Sequence, residues 1–202
     1  MKKLITGIVL FAVIIMAGCG GGGGGSSIVS DPANPVFSDA DRTLIHDAVH
    51  SGDINQVRSI LNNKPELINA MDEQGDFPIH SAFESPLPEF MASVLISEYD
   101  ADPNTKSNWD GDYPIHRAAR VNTSNGIRVL VAKGAKLDLL NASGETAVWV
   151  TISECAEEAL KELLDAGADG SIRYRNQTPL QGAMARYNYG TAQILTDHGY
   201  ME

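Results

Sequence analysis

The chain is poor in basic residues. Its 202 residues include 15 lysines and arginines against 26 aspartates and glutamates, which gives a formal net charge of −11. A protein that binds nucleic acid needs a basic face, and attraction to anionic lipid headgroups needs clustered cations. The charge balance therefore argues against both kinds of partner.

Sequence motifs of catalytic sites are also missing. The chain contains no Gly-x-Ser-x-Gly and no His-Glu-x-x-His segment, and the glycine run 20–25 lacks the Lys-Ser/Thr pair of a phosphate loop. Asp110-Gly111-Asp112 resembles the start of a calcium loop, but the remaining ligand positions are not filled. We therefore expect no catalysis, no metal and no cofactor.

Cysteine is scarce, with Cys19 and Cys155 as its two occurrences. Cys155 has no histidine close in sequence and no surrounding motif of a nucleophile. We expect it to be buried in a helix as a small apolar residue. The stretch 38–202 is long enough for one domain with its own core.

The N-terminus has the layout of an export signal over residues 1–18. Lys2 and Lys3 are followed by a run without charge, 4–18, that is shorter than the roughly 20 residues of a spanning helix. This segment by itself would also fit an ordinary signal peptide or a short anchor helix.

The segment Met16-Ala17-Gly18-Cys19 resembles the lipobox of bacterial lipoproteins. The resemblance implies a lipid on Cys19, which leaves no cysteine pair for an intramolecular disulfide. Gly20, in place of aspartate, implies the outer membrane in a Gram-negative cell, or the outer face of the membrane in a Gram-positive one. Residues 19–37 are rich in glycine and serine and predict a flexible tether.

Three segments later in the chain repeat one phrase. Residues 77–82, 113–118 and 178–183 read FPIHSA, YPIHRA and TPLQGA. They resemble the Thr-Pro-Leu-His-x-Ala phrase that begins each unit of the ankyrin-repeat family. The resemblance implies an all-α solenoid of helix-turn-helix units with projecting loops, and a role in binding other proteins.

The histidine of the phrase sets the register of the units. The matching positions are separated by 34, 36, 33 and 32 residues and are His46, His80, His116, Trp149 and Gln181. Ankyrin units are about 33 residues long, so five units are expected. Their expected bounds are 38–71, 72–106, 107–140, 141–174 and 175–202.

The resemblance assigns structural roles to the repeated phrase. Its histidine is expected to bond backbone between units, at His80 and His116, and Trp149 is expected in the core. Equivalent residues on helices packed about 8–10 Å apart are too distant to share a zinc ion. Phe77 and Tyr113 stand where threonine would cap the helix, so the preceding Asp76 and Asp112 are the expected caps.

Acidic residues are concentrated between Glu66 and Asp112. This stretch has 11 acidic residues and a single basic one, Lys106. It is either a solvated face that keeps the protein soluble or a docking surface for a basic partner. Trp109, flanked by Asn108 and Asp110, is either an anchor for that partner or packs against the adjacent loop.

By resemblance, partners contact the projecting loops and the exposed side of the inner helices. The candidate partner-binding residues are Glu73, Gln74, Asp76, Glu84, Trp109, Asp110, Asp112, Arg120, Glu145, Tyr174 and Arg175. We expect a monomer that binds another protein outside the cytoplasm, as an envelope scaffold or as an immunity protein against a secreted toxin. An enzyme is the remaining alternative.

Overall fold

The computed structural model describes residues 37–201, and the predicted signal, Cys19 and almost all of the tether lie outside this range. Ten α-helices and no extended strand are found within it. The helices are Asp39–His50 (α1), Ile54–Asn63 (α2), Pro78–Ser81 (α3), Pro88–Tyr99 (α4), Pro114–Arg120 (α5), Ser124–Ala132 (α6), Ala147–Glu154 (α7), Glu157–Asp165 (α8), Pro179–Ala185 (α9) and Tyr189–Asp197 (α10). Short 3₁₀ turns occupy Pro65–Asn69 and Ala82–Glu84.

The helices form five successive pairs arranged as two rows. The inner row contains α1, α3, α5, α7 and α9, and the outer row contains α2, α4, α6, α8 and α10. Each helix contacts the next helix of its own row as well as its partner in the pair. The all-α repeat solenoid predicted from the sequence is confirmed.

The core runs along the whole stack between the two rows. Outer helix α8 contributes Leu160, Leu163 and Leu164 at helical spacing, and α2 contributes Val57 and Leu61. A two-helix unit has too little apolar surface to be stable alone, so its stability depends on its neighbours. No helix within 37–201 combines the length and apolar character needed to cross a membrane.

Several helices end in a left-handed residue that is not glycine. Asp100 ends α4 with φ of 55°, a conformation that aspartate adopts more readily than most residues other than glycine. Cys155 ends α7 with φ of 56° and is exposed, so the expectation that it is buried was wrong. Cys155 lies in the turn between α7 and α8, at the surface of the domain.

The first turns of the inner helices are capped in two ways. Thr178 Oγ1 accepts a hydrogen bond from the Gln181 N–H, as predicted. Before α3 the Phe77 N–H instead donates to Nδ1 of His80, at 3.2 Å, and α5 has the same arrangement. Asp76 and Asp112 form other contacts, so their assignment as caps was wrong.

The loops between units project beside the inner helices, and we call them the first to fourth fingers (70–77, 104–113, 136–146 and 169–178). Neighbouring fingers are joined by backbone hydrogen bonds, from the Asn108 N–H to Gly75 O and from the Ala142 N–H to Asp110 O, both at 3.0 Å. Gly75 has φ of 83°, and a Cβ there would lie 2.6 Å from the Asn108 Cβ. A side chain at Gly75 would separate these two fingers.

The histidine position of the repeat connects inner helices α3, α5 and α7 to the following finger. Nε2–H of His80 donates to the Asp112 carbonyl, at 3.2 Å, and that of His116 donates to the Glu145 carbonyl, at 3.0 Å. Trp149 is 1% exposed and its indole N–H donates to the Ile172 carbonyl at 2.7 Å. The predicted structural roles are confirmed, and tryptophan substitutes for histidine as the donor.

Candidate functional site

The candidate site is the surface that the fingers form with the exposed side of the inner helices. In the first finger, Glu73 and Gln74 are exposed and Asp76 is 7% exposed. Asp72 shapes this finger, because its Oδ1 accepts from the N–H groups of Gln74 and Asp76 at 3.0 and 2.9 Å. The finger therefore presents one exposed carboxylate at its tip and keeps another beneath it.

Arg117 on α5 connects the first two fingers. Its Nη2 lies 2.9 Å from Oδ2 of Asp76 and 3.0 Å from Oδ2 of Asp110. Its Nη1 lies 3.4 Å from Oε1 of Glu84, in the 3₁₀ turn that follows α3. The Arg117 side chain is 14% exposed, so its pairs with Asp76 and Asp110 are better shielded from solvent and more strongly coupled than surface pairs.

Asp112 lies fully buried beneath the second finger. Its Oδ2 accepts from Nη2 of Arg120 at 2.7 Å, and its Oδ1 accepts from Nδ2 of Asn141 at 2.9 Å. Arg120 also reaches Glu154 on α7, at 3.2 Å. This buried carboxylate thus links two successive units through charge-assisted hydrogen bonds.

Two of the candidate partner-binding residues are therefore placed as internal supports. The carboxylates of Asp76 and Asp112 are enclosed and paired with arginines of α5, so neither is presented to a partner as an exposed group. The count of 11 acidic residues against Lys106 overstates the free charge of this face, because Arg117 and Arg120 follow Asp112 in sequence and lie against the acidic residues in space.

Asp110 is held in its charged form by its neighbours. Partial burial raises its pKa, but the Asp112 backbone N–H, the Arg117 guanidinium and the Ser107 hydroxyl together bring that pKa below its usual value. Its Oδ1 accepts from the Asp112 N–H at 2.9 Å. A permanent negative charge therefore stands beside Trp109 at the end of the second finger.

Trp109 is 75% exposed. The backbone N–H of this residue donates to the Ser107 hydroxyl at 3.2 Å, which fixes the turn that carries the indole. Of the two alternatives for Trp109, packing against the adjacent finger is not what the structure shows. An exposed indole beside carboxylates has the composition of an interface anchor.

The remaining candidate residues lie along the same side of the stack. Glu145 is half-buried in the third finger, and its carbonyl accepts the hydrogen bond from His116. In the fourth finger the Tyr174 ring packs 5.4 Å from the Trp149 ring, and the exposed Arg175 guanidinium lies 4.9 Å from the centre of the Tyr174 ring. Tyr174 is thus mainly a packing residue, whereas Arg175 is available to a partner.

Arg117, Asp72 and His50 were missing from the sequence-based candidates. Arg117 stands one position after the motif histidine, where His46 is followed by Asp47 and His80 by Ser81. The repeat register could have identified this variable position beside the motif histidine. No group of three or more His, Cys, Asp or Glu side chains suited to a metal is found in the described part of the chain.

Comparison with known proteins gives the same repeat. A family model of ankyrin repeats (3 copies) matches residues 88–174 and 115–201, which together cover more than half of the chain. Over 177 residues, or 81% of the chain, it is 28% identical to the E3 ubiquitin-protein ligase KEG of Arabidopsis thaliana. Over 158 residues, or 77% of the chain, it is 24% identical to the probable 26S proteasome regulatory subunit p28 of Saccharomyces cerevisiae.

The matched region makes up a different fraction of the length of each relative. The chain spans 11% of the ligase and 14% of Protein glp-1 of Caenorhabditis elegans, to which it is 26% identical over 180 residues. For the yeast proteasome subunit the share is 69%. The similarity therefore concerns the repeat array.

Proposed function

Because the chain belongs to the ankyrin-repeat family, we propose that it is a lipid-anchored protein-binding module of the cell envelope. Ankyrin repeats act as protein-protein interaction modules and generally do not catalyse reactions. The observation that carries the assignment is the surface around Trp109, an indole 75% exposed between acidic fingers. Its expected partner is another protein, and the chain acts as a monomer.

The proposed location follows from the segment before the folded domain. Residues 1–18 have the layout of an export signal, Cys19 stands at the lipidation position, and a Gly/Ser-rich stretch follows. A lipid on Cys19 would attach the protein to the membrane, and the stretch would let the repeat domain reach partners up to a few tens of ångströms away. In a Gram-negative cell the domain would face the periplasm from the outer membrane.

Membrane fractionation with a high-salt wash distinguishes a lipid anchor from ionic attachment to the membrane. We expect the wild-type chain to remain with the membrane fraction after a high-salt wash, because salt screens ionic contacts and leaves acyl chains inserted. Cys19→Ser is expected to release it to the soluble fraction of the envelope. A Cys19→Ser protein that stays bound after the wash would contradict the lipid anchor.

Partner binding is tested by capture from envelope extract. We expect Trp109→Ala to reduce the recovered partner about tenfold or more, as for an interface anchor. Phe90→Ala is the matched control, because Phe90 is another exposed aromatic, 60% exposed, on outer helix α4. Equal recovery by the two variants would place the interface elsewhere, and the absence of any captured protein would contradict the proposed function.

An immunity protein against a secreted toxin is the second candidate function. The acidic surface of the fingers favours an immunity role. A surface with many charges of one sign speeds association with an oppositely charged protein and disfavours proteins of the same charge. The test is co-expression with the product of an adjacent gene directed to the periplasm. Protection by the wild type and not by Trp109→Ala is expected of an immunity protein, whereas growth arrest in both contradicts it.

A further inference from the structure

A pocket lies where the first and second fingers meet the inner helices, and we call it the Trp109 pocket. Its volume is about 280 Å³. The charged groups that line it are Asp72, Asp76, Glu84, Asp110 and Arg117, and Trp109 is also a lining residue. The pocket thus combines an exposed aromatic surface with four carboxylates.

The charges of the Trp109 pocket do not balance. Four carboxylates against one guanidinium leave a formal charge of −3 when His50, which also lines it, is neutral. Glu84 is the most exposed of the charged groups around Arg117, with its side chain 47% exposed, and it bridges His50 and Arg117 at 3.1 and 3.4 Å. A second cation would therefore be stabilised here even with Arg117 in place.

Asp76 provides an independent sign of a ligand. Its side chain is 10% exposed, its Oδ2 is bound by Arg117, and its Oδ1 is buried without a hydrogen-bond partner among residues 37–201. An unpaired buried carboxylate oxygen is costly, and native proteins normally satisfy such atoms. Asp76 lines the Trp109 pocket, so a donor that reached Oδ1 from there would offset this cost.

The Trp109 indole favours a guanidinium over an ammonium as the donor. Arginine stacks its planar group on an aromatic face and can donate to two carboxylate oxygens at once. It is also less strongly hydrated than lysine, so it loses less on entering a pocket. The combination of indole and several carboxylates is suited to that geometry.

The acidic surface extends beyond one side chain. A neighbouring pocket of about 320 Å³ shares Asp72 with the Trp109 pocket and adds Asp39, Asp47 and Glu73, with Arg42 as its basic residue. The negative surface therefore continues from α5 to α1, across the first three units. A polypeptide with more than one basic residue fits it better than a small cation.

We propose that the Trp109 pocket binds an arginine side chain of the partner protein, stacked on Trp109 and donating to the carboxylates of Glu84 and Asp76. The adjoining pocket accepts a further basic side chain of the same partner. This inference rests on the proposed protein-binding function and names the part of the partner that the surface recognises.

The test titrates the full chain, in neutral detergent, with two peptides. One is a glycine-serine heptapeptide with a single central arginine, and the other has citrulline, which has nearly the same shape without the charge. The chain has two tryptophans, so NMR shows two indole N–H signals. The signal of Trp109 reports binding, and that of Trp149, which is 1% exposed, is the internal control. Trp109→Phe assigns the two signals.

We expect the arginine peptide to shift the Trp109 signal in a saturable way and to leave that of Trp149 in place. The citrulline peptide should bind at least about tenfold more weakly, as expected for loss of a charge-assisted contact. Glu84→Gln should weaken binding of the arginine peptide at least about threefold. Glu98→Gln is the control, because Glu98 pairs with Arg58 on the outer row at 2.6 Å.

Three results would overturn the inference: equal shifts with both peptides, no shift with either, or equal weakening by Glu84→Gln and Glu98→Gln. Glu84 is half-exposed, so its variant is expected to fold, which an Asp76 variant need not do. If a partner is captured equally well by the wild type, Glu84→Gln and Trp109→Ala, the inference about the pocket is wrong and the proposed function is not affected. If the peptide binds but no protein is captured, the proposed function is wrong and the pocket is supported.

Discussion

Arg117 and Asp76 lie 41 positions apart in sequence and form an ion pair with Nη2 and Oδ2 at 2.9 Å. The pair joins inner helix α5 to the finger that precedes α3, so it crosses the junction between two units. It explains why an acidic stretch with one lysine folds without strong self-repulsion. The positive charge that the stretch lacks is supplied by the next unit.

The Arg117 ion pairs are expected to contribute to stability. Arg117→Gln should lower the free energy of unfolding by about 2–4 kcal/mol, because it leaves the enclosed carboxylate of Asp76 and the partly buried carboxylate of Asp110 without their partner. Arg128→Gln is the control, since Arg128 is exposed in its pair with Glu162 and should cost less than about 1 kcal/mol. Urea unfolding followed by circular dichroism measures both, and equal losses would contradict the interpretation.

The indole N–H of Trp149 is expected to matter beyond its packing. Trp149→Phe should cost about 2–4 kcal/mol, because it removes the donor to the Ile172 carbonyl and leaves a cavity. Trp109→Phe changes an exposed indole in the same way and should be within about 0.5 kcal/mol of the wild type. Thermal unfolding of the two variants gives the comparison, and a similar melting temperature for both would refute it.

Two left-handed turn residues are expected to respond oppositely to glycine. Cys155→Gly should stabilise by about 0.5–1 kcal/mol, because the exposed thiol has φ of 56° and glycine adopts that conformation without strain. Asn122→Gly should destabilise, although its φ is 52°, because the side chain accepts from the Ala159 N–H at 2.9 Å and donates to Glu158. Urea midpoints test the signs, and a common sign would contradict the assignment.

The buried histidines predict loss of stability in mild acid. Burial lowers the pKa of His46, His80 and His116 below 6.5, so the unfolded chain takes up protons that the folded chain does not. Their contribution is complete above pH 6.5 and is lost as the pH falls towards the lowered values, by up to about 1.4 kcal/mol per pH unit for each histidine.

Glutamine offers a matched test of this pH dependence, because Gln181 occupies the same position in the last unit. His116→Gln should reduce the slope of the unfolding free energy against pH between about 6.5 and 5, by up to about one proton equivalent. His198→Gln is the control of opposite sign, since a hydrogen bond to the Ile194 carbonyl and the Asp165 carboxylate raise the pKa of His198. An unchanged slope in His116→Gln would count against the burial of a neutral histidine.

Much of the fold could be read from the spacing of the repeated phrase. The interval of 32–36 residues indicates the five units, and the phrase marks the start of the inner helices. These features depend on local preferences, such as proline in the first turn and a left-handed residue at the end. The exposure of Cys155 was missed because the turn geometry, and not the composition around it, sets which way that side chain lies.

The sequence by itself determined the helix pairs, their register and the structural role of the motif histidines, because each of these arises from contacts within a unit or between identical positions of adjacent units. Only the tertiary structure decided which acidic residues are free. Asp76 and Asp112 are enclosed by arginines from a different helix, whereas Glu73 and Trp109 remain exposed. The acidic residues are neutralised by arginines that lie near them in space. Counting charges along the chain therefore does not show which side chains the stacking of the units brings within about 3 Å of one another.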